Sequence, residues 1–193
     1  MKVLLINGSR RDNGCTFTGL SIAAKALNEN GIETEIFNVG NRVHNGQIED
    51  VLKEAAEKIK DSDGIIVGSP VYYASPSGEL VYFLDRFFGR CVDDLRYKPA
   101  AAISSCRRAG NTACLDVLLK YFSYNQMPIV SSRYWNEIHG SKPEDILKDV
   151  EGVQIMKILG QNMAWILKSI EAGKKAGIAQ PQTEENIYTN FIR

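Results

Sequence analysis

Met1-Lys-Val-Leu-Leu-Ile-Asn-Gly-Ser-Arg-Arg-Asp-Asn-Gly-Cys-Thr16 couples a short apolar run to a polar loop bracketed by Gly8 and Gly14. Residues 3–6 have the length and β-branched flavour of a buried strand. Past Cys15 and Thr16 the apolar residues change to helical spacing, at Leu20, Ala23, Ala24 and Leu27. A strand that runs through a Gly/Ser/Thr loop into a helix N-terminus aims backbone N–H groups and the positive end of the helix dipole at one spot. Hydroxyls and amides of Ser9, Asn13 and Thr16 can donate to phosphate oxygens, and Arg11 can add a charge-assisted contact. The plainer alternative is a capped strand–helix turn without a ligand.

The loop excludes several phosphate ligands. It is not Gly-x-Gly-x-x-Gly and has no Gly-Lys-Ser/Thr, so the dinucleotide and nucleoside-triphosphate fingerprints both fail. No Cys is followed six residues later by Arg, against a phosphatase loop. A phosphoacceptor receiver needs acidic strand ends, where this chain has Ile6-Asn7 and Gly68-Ser69.

Outward from that loop the chain alternates strands and helices. A helix over 16–30 ends at an Asn30-Gly31 cap signal. A strand is expected over 32–39, a loop over 40–46 and an amphipathic helix from Ile48 to Ile59. A buried strand follows over 65–68, then a rigid loop over 69–78 with two prolines and a glycine. Helix 80–88, strand 99–104, polar loop 104–112, helix 113–124 and strand 127–130 come next. Residues 131–149 show no period, a long helix spans about 150–173, and a polar tail starts at Gly177. Five strands alternating with five helices predict an α/β, doubly wound, five-stranded parallel sheet of order 2-1-3-4-5 in a three-layer sandwich. Residues 1–176 form one domain in this reading, with 177–193 as a tail.

In such sheets ligands bind beyond the carboxyl ends of the strands, at the switch point between strands one and three. The loops after strands one, three and four therefore meet on one edge. The second loop offers Tyr72 and Tyr73 with the backbone from Pro70 and Val71 to Ser75, which suits a flat ring. The third offers Ser104, Ser105, Arg107, Arg108, Gly110 and Asn111, donors that would stabilise negative charge on a reduced ring. The alternatives are tyrosines packed in a subunit contact and a solvated Arg107-Arg108 turn. A phosphate at one end and a redox-tunable ring at the other describe flavin mononucleotide (FMN).

These motifs resemble the flavodoxin-like NAD(P)H-dependent FMN reductases. Residues 8–16, the Gly68-Ser-Pro-Val-Tyr-Tyr73 loop, Pro76-Ser-Gly-Glu-Leu80 and Asp85-Arg86 carry the likeness, which covers residues 1 to about 140. The resemblance implies that Ser9, Arg11, Asn13, Cys15 and Thr16 hold the FMN phosphate. It implies that Pro70, Val71, Tyr72 and Tyr73 border the ring, with Ser75 at its edge. It further implies two-electron transfer from NADH or NADPH to a quinone, flavin or similar acceptor, with no catalytic side chain named. The family often has Pro where Arg10 stands, and Asn or Ser where Cys15 stands. Relatives that also carry an iron–sulfur cluster have a compact run of cysteines before the second helix. Residues 40–48 contain none, so no cluster is expected.

Bulk properties agree. The chain has 193 residues, with 23 Lys plus Arg against 23 Asp plus Glu and net charge zero, so neither nucleic acid nor membrane is an expected partner. No signal peptide is discernible, and Cys15, Cys91, Cys106 and Cys114 form no Cys-x-x-Cys pair. A cytoplasmic protein with reduced thiols is expected. A flavodoxin-type electron carrier is the main alternative function, but such carriers are usually strongly acidic. A hydrolase or nucleotide-binding module on the same scaffold is the third. Tyr82, Phe83, Phe87 and Phe88 spread over more than one face of helix 80–88, which predicts a homodimer or homotetramer. Trp135 either plugs a gap over the last helix or walls the ligand site, and His44 and His139 are read as loop or interface residues.

Overall fold

The computed structural model describes residues 1–182 and 184–191. Its elements are β1 Lys2–Asn7, α1 Cys15–Glu29, β2 Glu33–Asn38, α2 Gly40–His44, α3 Ile48–Lys60, β3 Gly64–Pro70 and α4 Gly78–Arg90. They continue with α5 Val92–Leu95, β4 Ala100–Cys106, α6 Asn111–Tyr124, β5 Glu137–His139, α7 Pro143–Ile146 and α8 Val150–Lys175. The sheet has the expected order β2-β1-β3-β4-β5, and all its strand pairs are parallel.

Alternate residues of each central strand enter opposite layers, which is why these strands read as unbroken apolar runs. Leu4, Ile6, Ile65, Val67, Ala100 and Ala102 pack under α3, α4 and α6. Val3, Leu5, Ile66, Ala101 and Ile103 pack under α1 and α8. Among the described residues no helix is long and apolar enough to cross a membrane.

Three expectations need correction. The segment over 40–46 is not plain loop but begins with α2. The strand expected over 127–130 contributes only a bridge from Ile129 to Ala100. Pro128 has no N–H to give, and the chain bulges outward before Asn136 O accepts the Ser104 N–H at 2.9 Å. The fifth strand proper is Glu137–His139, paired with Ser104, Ser105 and Cys106. The aromatic spread of α4 is absorbed within the same chain: Phe83, Phe87 and Phe88 are buried, and only Tyr82 is exposed. Phe83 and Phe87 stack at 5.1 Å, and Phe88 turns to Tyr121 and Phe122 of α6. The aromatics of α4 therefore supply no argument for a subunit contact.

Candidate functional site

Asn7 ends β1 as a fully buried polar residue, and its amide organises the loop that follows. Its Nδ2 donates to Asn38 Oδ1 at 2.9 Å and to Asp12 O at 3.3 Å, while its Oδ1 accepts from Ser9 N at 3.2 Å. Ser9 is buried, and its Oγ accepts from Arg11 N at 3.1 Å. Gly14 N-caps α1 without a side-chain bond. The first helical bond runs from Thr18 N–H to Gly14 O at 3.0 Å, so the amides of Cys15, Thr16 and Phe17 lie ahead of it as free donors. Arg11 and Asn13 are exposed at the rim. The loop thus turns the uncapped amino end of α1 toward the carboxyl edge of the sheet.

α2 closes the loop from outside, and sequence reasoning missed it. A Cβ on Gly40 would lie 2.4 Å from Gly8 O and 2.5 Å from Ser9 O, so α2 rests directly on the loop backbone. Asn41 Nδ2 donates to Asp12 Oδ2 at 3.2 Å, while the buried Asp12 Oδ1 has no hydrogen-bond partner among the described residues. An orphaned buried carboxylate oxygen is costly, and a ligand hydroxyl would satisfy it. The only advance signal was a polar residue, Asn7, at the end of an apolar strand.

Arg10 bridges the loop to α4. Its Nε donates to Glu79 Oε1 at 2.7 Å, and His44 Nδ1 lies 3.3 Å from the same oxygen. Burial opposes ionisation of Glu79, but the Arg10 hydrogen bond and charge hold its carboxyl below the usual range. A lowered folded-state pKa means stability that is present above the unfolded value and lost as pH falls through the folded one. The acid limb of an unfolding-versus-pH profile, below about pH 4.5, is therefore expected to be shallower for Glu79→Gln. An equally steep limb in that variant refutes this role for the pair.

The second loop is held in a strained shape. Tyr72 N–H donates to Ser75 O at 2.9 Å, and Ser75 N–H donates back to Tyr72 O at 3.0 Å. Between them Tyr73 and Ala74 have φ of +51° and +57°, a tight turn built from two residues that disfavour it. Each such residue costs on the order of 1–3 kcal/mol. The strain leaves the Tyr73 ring fully in solvent and Tyr72 about half exposed. Pro70 and Val71 are half-buried below the turn.

The three loops are tied pairwise. Gly8 N–H donates to Gly68 O at 2.9 Å, and Ser77 Oγ donates to Gly8 O at 2.7 Å. Thr16 Oγ1 and Ser105 Oγ lie 2.8 Å apart in the interior, so these two hydroxyls serve one another and Thr16 offers the site its N–H. Gly110, at φ +95°, lies against the second loop, where a Cβ would sit 2.9 Å from Val71 Cγ1 and 3.0 Å from Ala74 Cα. Arg107 and Arg108 are exposed on the same edge, without an ion pair among the described residues. The residues named from the sequence lie on or next to the three loops at the carboxyl edge of the sheet: Cys15 and Thr16 open α1, Pro70 ends β3 and Ser105 is near the end of β4, with Thr16 and Ser105 turned inward as a strut. Trp135 is not over α8: it is exposed, in edge contact with Tyr134, beside a cavity of about 150 Å³ lined by Leu115 and Leu119 of α6.

A doubly wound sheet of order 2-1-3-4-5 with an uncapped helix N-terminus at its switch point and an exposed aromatic turn beside it defines a flavodoxin-like fold. The model of the NADPH-dependent FMN reductases matches residues 1–141, and the chain belongs to that family. An iron-sulfur flavoprotein of Methanocaldococcus jannaschii is 30% identical over 192 residues, covering 89% of this chain and 100% of its own length. The fold is shared with a flavodoxin from the domain Archaea, with a TM-score of 0.64, 19% identity and coverage of 87% and 99% of the two chains. It is shared too with RosB bound to 8-demethyl-8-formylriboflavin-5′-phosphate, with a TM-score of 0.71, 15% identity and coverage of 100% and 92%. Family and relatives together make this chain a flavin oxidoreductase.

The donor set does not fit an iron–sulfur cluster of the kind named for the methanogen relative. Such a cluster needs several thiolates at one place. Here Cys15 opens α1, Cys91 follows α4, Cys106 ends β4 and Cys114 lies within α6. Among the described residues no three His, Cys, Asp or Glu side chains gather to hold a metal. Burial pushes all four thiols up, Cys114 to about 12, away from the thiolate form.

Proposed function

We propose that this protein is an FMN-dependent NAD(P)H oxidoreductase that passes electrons from NADH or NADPH to a quinone, flavin or similar small acceptor. The observation that carries this reading is the pairwise tying of three loops, which presents an uncapped helix N-terminus at one end and a strained aromatic turn at the other. The amides of Cys15 and Thr16, with Ser9, Arg11 and Asn13, are the donors for the phosphate. Pro70, Val71, Tyr72, Tyr73 and Ser75 border the ring, and Ser105 braces Thr16 from below. Arg107 and the Gly110 turn lie where positive charge and N–H groups would favour a reduced ring. Bound FMN supplies hydride chemistry there. The exposed Tyr73 and Tyr72 rings offer flat apolar surface that orders a nicotinamide and displaces water. Four free thiols suit a reducing cytoplasm, where we place the protein.

Anaerobic mixing of the FMN-loaded protein with NADH or NADPH tests the proposal. Rapid bleaching of the flavin band, with turnover on adding a quinone or free flavin, is the expected result. Bleaching by dithionite but by neither nicotinamide would make it an electron carrier. Failure to take up FMN at all would return the scaffold to a non-flavin role.

A further inference from the structure

α8 ends in a turn at Gly177, where Ile178 N–H donates to Gly173 O at 2.9 Å. The arm beyond it first passes the amino edge of the sheet, where Gln180 shares a cavity with Met1, Asp63 and Arg96. It then reaches the far layer, where Ile187 and Tyr188 share a second cavity with Val92 and Tyr124. This seat buries almost none of the arm's apolar surface: Ile187, Tyr188 and Phe191 remain 91%, 86% and 91% exposed. Next to that cavity, between α4 and α6, lies a groove of about 450 Å³ lined by Phe88, Val92, Val117, Tyr121 and Tyr124.

We propose that this groove receives the arm of a second copy of the chain, so that the protein pairs by exchanging its tails. Every copy carries both halves of the contact, which is what a two-fold, self-complementary pair requires. Val92 and Tyr124 belong to both cavities, so an arm already comes to the rim of the groove. The chemistry matches as well. Tyr188 and Phe191 meet a groove rich in aromatic rings, the residue types that anchor interfaces. Exposed apolar arm and exposed apolar groove both lose surface to water when they meet. Of the α4 aromatics that the sequence assigned to a subunit contact, Phe83 and Phe87 are spent on the core and Phe88 forms part of the groove wall, so the arm supplies the other half of the contact.

Sedimentation of the full chain across a micromolar concentration series tests this. The wild type is expected as a pair. A triple arm variant, Ile187→Asp with Tyr188→Asp and Phe191→Asp, is expected to weaken association at least about thirtyfold, as loss of a buried aromatic anchor does. Val117→Asp, on the solvent side of α6, should do the same from the groove. The arm variant lies outside the core, so it keeps the test alive if the groove variant misfolds. Mixing Tyr188→Cys chains with Val117→Cys chains should give a disulfide-linked two-chain species. A monomeric wild type, a pair that the arm variant leaves unweakened, or a disulfide forming only within a chain that carries both cysteines overturns the proposal.

Discussion

Gly40→Ala is expected to cost the protein its flavin while leaving the sheet folded. The added Cβ would stand 2.4 Å from Gly8 O and 2.5 Å from Ser9 O, so backbone must move by at least about 0.6 Å. Neither side yields easily. Gly8 is fixed by Gly68 O and by Ser77 Oγ, and α2 is anchored by Arg42, which holds Glu54 at 2.6 Å. The loop from Ser9 to Gly14 is the softer party, and it carries the phosphate donors. Hydrogen bonds to a charged group are worth about 1.5–3 kcal/mol each. Misaligning one or two of them should weaken FMN binding about a hundredfold. Fluorescence titration of FMN measures it, with circular dichroism as the check on the fold. An unchanged dissociation constant would take the phosphate off this loop.

The second large effect is expected at Gly110. Gly110→Ala forces a side chain into a left-handed backbone and drives a methyl into Val71 and Ala74. The first cost is about 1–2 kcal/mol, and overpacking adds about 1–3 kcal/mol. Gly46→Ala is the natural control: its φ is +80°, but nothing lies within 4 Å of the added Cβ. Urea unfolding should therefore show a loss of about 2–5 kcal/mol for Gly110→Ala, at least roughly twice that of the control. Because Ala74 is part of the strained turn, the same substitution should shift Tyr73 and slow flavin reduction by nicotinamide. Equal losses in the two variants would show that Gly110 does not lock the second and third loops.

What the sequence made legible follows from which signals are local. The strand order was readable because the apolar runs 3–6, 65–68 and 99–104 alternate with helical spacing, and crossover handedness does the rest. The first loop was readable because Gly8, Ser9, Gly14 and Thr16 sit between a strand and a helix. Strand five was not. Met127-Pro-Ile-Val130 has a buried strand's composition, whereas Glu137-Ile-His139 contributes one apolar residue and is too short to show a period. The Tyr73-Ala74 turn was illegible for a different reason: neither residue is the Gly or Asn that left-handed turns prefer, and it is held by the reciprocal Tyr72–Ser75 hydrogen bonds and by packing against Gly110, neither of which a local pattern shows. The Thr16–Ser105 bond joins residues 89 apart, and no local pattern announces such a pair. Likewise the four aromatics of α4 suggested too wide a face, because a helix wedged between the sheet, α3 and α6 buries more than one stripe.

The ties among the three loops also bear on how the protein breathes. Gly8 N–H donates to the Gly68 carbonyl of β3 at 2.9 Å, and Ser77 N–H, fully buried, donates to the Ser69 side-chain Oγ at 3.0 Å. The Gly8 amide cannot meet solvent without parting the end of β1 from β3, and the Ser77 amide is shielded by burial. In deuterated buffer the amides of Gly8 and Ser77 should therefore exchange as slowly as those of the central strands, even in flavin-free protein. The site would then be a standing part of the fold's most protected unit, and cofactor can leave and return without any segment refolding.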